Sequence, residues 1–199
     1  MFAGHILGGE IYWDCIKNGS DQGKYIFYLN LYRKCGGSPM PSAANIVGSN
    51  GITISASVFE TRDLTPTCWD SSSAISCLTS TNGDAIEQYL YQSQPVTLTG
   101  TPPANGWTFS WTSCCRPMSP ITDNLSVQGG SYYVKAKMFP YTPLGSLSPK
   151  SANECFDSSP RFVQHPTALI CKGIAGYMDY ATSDIDADQR TYTFESGQT

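Results

Sequence analysis

Apolar and polar residues alternate with a period of two along much of the chain, and no window sustains a helical period with caps at its ends. Tyr25, Phe27, Leu29 and Leu31 fall on one side of a run whose other side carries Ile26, Tyr28, Asn30 and Tyr32. That pattern predicts a strand covered on its first face and partly on its second. Ile52, Ile54, Ala56 and Val58 alternate with Thr53, Ser55 and Ser57, the cleanest half-buried strand of the sequence. Further strands are predicted within residues 88–98, 107–115 and 132–139. Trp107, Phe109 and Trp111 share one face of the second of these, which favours an inter-sheet core over a sugar-stacking platform. Asn18-Gly19, Gly36-Gly37, Asn50-Gly51, Asn82-Gly83, Pro102-Pro103, Asn105-Gly106 and Gly129-Gly130 mark turns between the runs. Many short strands separated by such turns predict an all-β fold, an immunoglobulin-like or related sandwich of two sheets.

Composition narrows the class further. Only 14% of the 199 residues are charged and the net charge is -4, with twelve scattered Lys and Arg against sixteen carboxylates. A chain with no basic face has no affinity for phosphates, so nucleic acid is not an expected partner. No stretch is long and apolar enough to predict a membrane-spanning helix.

Eight cysteines accompany only two histidines, in irregular spacings without a CxxC pair, which argues for disulfides rather than zinc. Cys15, Cys35, Cys68, Cys77, Cys114, Cys115, Cys155 and Cys171 are therefore read as paired, and the expected location is extracellular, at the cell surface or secreted. Consecutive strand residues point to opposite faces, so Cys114 and Cys115 are expected to reach different partners. Parity and proximity suggest one working connectivity among many: Cys15 and Cys35 to Cys114 and Cys115, Cys68 to Cys77, and Cys155 to Cys171. Trp13 and Trp69, beside Cys15 and Cys68, are expected to pack against disulfides. The first residues lack a basic stretch followed by an apolar one, so either a leader has been removed or Met1 is an artificial start, the second being favoured.

Composition shifts between residues 144 and 160, where Gly, Ser, Pro and Asn dominate. A boundary is placed near Asp157, with a disulfide-rich sandwich over residues 1–157 and the first strands of a second β-domain over 158–199. The second stretch is too short to stand alone. It must pack on the first domain, pair with another chain by strand addition, or begin a domain that continues elsewhere.

Asp184, Asp186 and Asp188 alternate with Ile185 and Ala187, and carboxylates so spaced converge on a hard cation such as Ca²⁺. The alternative is a solvated acidic turn. An EF-hand loop needs a glycine after its third carboxylate, and that glycine is absent here, so the motif is set aside. His5 and His165 carry no signature of a nucleophile and its base, and no thiol remains if every cysteine is paired, so an enzyme is not expected. Glu10, Glu60 and Glu87 leave a glycosidase pair formally open, but nothing singles one out. Asn18-Gly19-Ser20 and Asn124-Leu125-Ser126 match the N-glycosylation pattern.

Four stretches, in order, are His5-Ile6-Leu7-Gly8-Gly9-Glu10-Ile11, Leu31-Tyr32-Arg33-Lys34-Cys35, Ser113-Cys114-Cys115-Arg116 and Cys155-Phe156-Asp157-Ser158-Ser159-Pro160-Arg161-Phe162. Together they resemble the large surface proteins of the Bacteroidetes, including gliding-motility adhesins of the SprB type exported by the type IX secretion system. The resemblance covers most of the chain and implies a mature N-terminal region. It also implies an adhesive or filament-forming role in attachment or gliding, with the type IX machinery and surface glycans or proteins as partners. The end of the chain resembles cadherin-like repeats, in which an acidic linker precedes Pro-x-Phe and an Asp-x-Asp element follows. That resemblance implies Ca²⁺ at the junction, with Asp157, Asp184, Asp186 and Asp188 as ligands. A secreted carbohydrate-binding module is the rival expectation, and an accessory domain of a secreted glycoside hydrolase a more distant one.

Overall fold

The computed structural model describes residues 6–37, 39–65, 76–79, 85–113, 131–165 and 181–192. Seven strands form one antiparallel sheet: β1 (Ile6–Cys15), β2 (Tyr25–Lys34), β3 (Ala43–Gly48), β4 (Thr53–Asp63), β5 (Ile86–Ser93), β6 (Trp107–Ser113) and β7 (Tyr132–Met138). Their order is β1-β2-β5-β4-β3-β6-β7. The first strand lies alongside the last, so the sheet curls back on itself and is nearly closed. A β-carbon on Gly9 of β1 would come within 2.7 Å of the Asn30 carbonyl and the Leu31 side chain, and within 3.4 Å of Val134 on β7. Only glycine lets these backbones approach so closely.

The alternation predicted for β2 and β4 is present. Tyr25, Phe27, Leu29 and Leu31 are fully buried, and so are Ala56 and, within 2%, Ile54. Trp107, Phe109 and Trp111 all point into the same core, as the core reading required. Phe109 meets Phe27 at 4.7 Å and Trp13 at 5.8 Å between ring centres, both tilted, a preferred arrangement for aromatic quadrupoles. Strand β6 covers residues 107–113 of its predicted span, and β5 ends at Ser93 before Pro95. Gly51, with φ +86°, turns the chain between β3 and β4 at the predicted Asn50-Gly51 step. Strands β1 and β3 were not anticipated. In β1, Ile11, Tyr12 and Trp13 are buried in succession because both faces are covered, which erases the period of two. In β3 the period is perfect, but Ala43 and Val47 on the exposed side are as apolar as the buried side, so the sequence does not show it.

The tail supplies the cover on the outer face. A 3₁₀ turn (Ala152–Glu154) leads through Cys155 to a two-stranded hairpin of β8 (Arg161–Phe162) and β9 (Thr182–Ser183). The Arg161 guanidinium sits 6.0 Å from the Tyr12 ring, Phe162 N–H donates to Glu10 at 3.3 Å, and His165 meets Tyr32 edge-on at 6.2 Å. Beneath them Tyr12 stacks on Tyr28 at 4.7 Å, and the buried Asn30 bridges Glu10 and Gln88.

Disulfide pairing differs from the sequence-derived connectivity. Cys15 bonds Cys155, and Cys35 bonds Cys77. The physical reason is topological: β1 runs antiparallel beside β2, and the segment leaving the sandwich returns along the end of β1, so Cys155 arrives within a Cα distance of 5.4 Å of Cys15. Cys15 and Cys35 are thus unavailable to Cys114 and Cys115, Cys77 to Cys68, and Cys155 to Cys171. Cys68, Cys114, Cys115 and Cys171 lie outside the described residues, as do His5, Trp69 and Asn124.

Candidate functional site at the acidic junction

The end of β1 and the tail are joined by four kinds of contact in a few residues. Beyond the Cys15–Cys155 bond, Ser159 N–H donates to the Trp13 carbonyl at 2.9 Å while Trp13 N–H donates to Ser159 Oγ at 2.9 Å. Cys15 N–H donates to Ser158 Oγ at 3.1 Å, and the Trp13 indole N–H to the Asp157 carbonyl at 3.2 Å. Both serines are buried, so each bond satisfies a donor that water does not reach.

Further contacts join this stretch to the acidic residues of the turn. Ser158 N–H donates to Asp186 Oδ2 at 2.7 Å, and Lys17 pairs with the other oxygen of the same carboxylate. Asp186 N–H donates to Asp184 Oδ1 at 2.8 Å, and the turn closes with Ala187 in the left-handed region at φ 61°. Such a conformation costs a non-glycine residue about 1–2 kcal/mol, so the surrounding bonds must impose it.

The four aspartates named from the sequence are brought together. The Asp157 carboxyl is pushed up to about 7, first by burial, then by the charges of Asp188, Asp184 and Asp186, with the protonated carboxyl's interaction with Asp188 adding to the effect. Asp186 is held below the usual carboxylate range, because its bonds to Lys17 and Ser158 outweigh its partial burial. The cluster is therefore divided. Asp186 is already neutralised by Lys17, whereas Asp157, Asp184 and Asp188 line one cleft of about 550 Å³ with Arg161, Phe162, Arg190 and Tyr192. Arg190 donates to the Thr182 carbonyl, and Arg161 lies 4.0 Å from Asp14.

Three carboxylates and nearby carbonyls are the hard oxygen donors that Ca²⁺ takes, so the donor chemistry fits. The raised proton affinity of Asp157 fits as well, because a group that resists ionisation among like charges is one that a cation would relieve. No three of these carboxylates yet bring oxygens within 4.8 Å of one another; the described trio that does is Cys35, Cys77 and Glu87. Its two sulfurs are bonded to each other and Glu87 is paired with Arg33, so those atoms are already engaged.

Lys17, Ser158, Ser159 and Arg161 belong to this junction, and the sequence assigns none of them a role at a site. Lys17 lies 169 residues from Asp186, so no local pattern reveals the pair. Trp13 joins the aromatic core with 2% exposure, and its partner Cys15 packs at the edge of that core. Comparison with protein-family models, curated proteins and solved structures finds no match. Among the described residues no helix is long and apolar enough to cross a membrane. Two disulfides are characteristic of a protein that folds in an oxidising compartment.

Proposed function

We propose that this chain is a non-catalytic, load-bearing module of an extracellular adhesin or surface filament, built as an immunoglobulin-like sandwich with Ca²⁺ at its acidic junction. The observation that carries the reading is the covalent tie between the first strand and the segment leaving the last. Tension entering ahead of Cys15 and leaving after Cys155 passes through one S–S bond, bypassing the 140 residues of separation between them. Only the β1–β2 ladder ahead of Cys15 then bears that load, and the strand pairs enclosed by the bond are spared it. A catalyst has no need of such an arrangement, whereas a tether under shear does.

Strand order supports the immunoglobulin-like assignment. The sequence β1-β2-β5-β4 followed by β3-β6-β7 corresponds to strands A-B-E-D and C-F-G of the constant-type sandwich, with the fourth and third strands also paired. Calcium would be held by Asp157, Asp184 and Asp188, stiffening the link between sandwich and hairpin. Surface attachment or gliding, with glycans or proteins as the surfaces contacted, is the role that suits these features.

Pulling on the chain from its two ends tests the mechanical claim. In the oxidised protein, residues between Cys15 and Cys155 should add no contour length on rupture, and reduction should release them. Release of that length without reductant would contradict the proposal. For calcium, chelation followed by titration should raise the melting temperature as the ion returns. An unchanged melting temperature would remove calcium from the account.

A further inference from the structure

The cleft beside the junction is also lined by two aromatic rings and two guanidinium groups that the load-bearing role does not use. Phe162 and Tyr192 contribute two aromatic rings, 48% and 62% exposed, to a concavity of about 550 Å³, which is within the usual size of small-molecule sites. The same lining carries acceptors, the carboxylates of Asp184 and Asp188, and donors, the guanidinium groups of Arg161 and Arg190. Three carboxylates face two guanidinium groups, so the formal charges of the lining nearly cancel.

That combination restricts the ligand. A near-neutral field gives little advantage to a strongly charged molecule. Exposed ring faces favour a partner with a flat, weakly polar C–H surface, and a mixture of donors and acceptors favours one whose rim carries groups that are both. A pyranose ring has both properties: an apolar face and a circle of hydroxyls. We propose that this cleft is a binding site for neutral saccharides, with Phe162 and Tyr192 as the stacking surfaces and Arg161 and Arg190 ordering the hydroxyls. The assignment deepens the adhesive reading, on which it rests for the availability of surface glycans.

Saturation-transfer NMR on the intact, oxidised chain tests it with cellobiose, maltose, lactose and mannobiose as neutral probes, and sialyllactose and digalacturonate as acidic ones. Transfer to at least one neutral disaccharide is expected. Tyr192→Ala should weaken it roughly three- to tenfold, the worth of one aromatic contact. Tyr192→Phe keeps the ring and should retain binding, which separates lost stacking from a disturbed hairpin. Phe162→Ala should weaken binding similarly. Transfer to none of the neutral probes, transfer to the acidic ones alone, or neutral binding indifferent to Tyr192→Ala would each overturn the proposal. The pulling experiment reads only the Cys15–Cys155 tie, so saccharide binding and load bearing can fail separately.

Discussion

The sandwich and its tail are held by opposite kinds of force. In the sandwich, Phe27, Leu29, Leu31, Ile46, Tyr91 and Phe109 are fully buried. Their burial is non-directional and scarcely affected by pH or ions at ordinary concentrations. The tail buries Ala152, Cys155, Ser158 and Ser159, but Arg161, Phe162, Val163 and Ile185 remain exposed. It is kept in place by a disulfide, backbone-to-serine bonds and charged pairs, each of which depends on geometry or protonation. One chain thus joins a body that resists its surroundings to an attachment that responds to them.

The largest expected effect lies in the sandwich. Phe27→Ala should cost about 3–5 kcal/mol, because it removes a ring that meets Trp13, Tyr25 and Phe109 and leaves a cavity. Thermal unfolding should fall by roughly 10 °C for a chain of this size. Replacing Cys15 and Cys155 together by Ser comes next, at about 2–4 kcal/mol, chiefly by freeing the unfolded chain. Hydrogen exchange should show the difference between the regions: Phe27→Ala speeds exchange throughout, whereas the cysteine pair speeds it most in residues 155–165 and 181–192.

Ser158→Ala strips Cys15 N–H of its partner and should cost about 1–2 kcal/mol, read as faster exchange at that amide. The most selective effect is that of pH. In the folded protein Asp157 holds its proton up to about 7, more tightly than an unfolded aspartate does. Its contribution to stability is therefore greatest below the ordinary carboxylate range and is lost as pH rises through about 7. Asp186 has the opposite sign, stabilising above the ordinary range and losing that contribution as pH falls through its depressed value. With chelator present, Asp157→Asn should melt higher than the parent at pH 8 and close to it near pH 4. A parent curve flat between pH 5 and 8 would contradict the crowding of carboxylates at the junction.

The same contrast governs what the sequence reveals. Core strands are legible where large apolar residues alternate with polar ones, as in β2 and β4, because burial on one face selects them directly. It fails at β1, sheltered on both faces, and at β3, whose exposed side carries Ala43 and Val47. The acidic residues of the junction are legible as a set, since alternate aspartates near a turn and one more at Asp157 signal convergence. Their partners are not: Lys17, Glu10 and the Trp13 backbone come from the opposite end of the chain and meet the tail only after the sheet has formed. Disulfide pairing is hidden for the same reason. Cysteines close in sequence invite local closure, whereas Cys15 and Cys155 are joined across 140 residues by the topology of the sheet.

Peptide mapping of the unreduced protein, purified from its native source, tests the covalent tie most directly. The account requires a fragment in which the Cys15 peptide is bonded to the Cys155 peptide, accompanied by one joining Cys35 to Cys77. Free thiols at Cys15 and Cys155, or Cys15 bonded to Cys114 or Cys115, would contradict it.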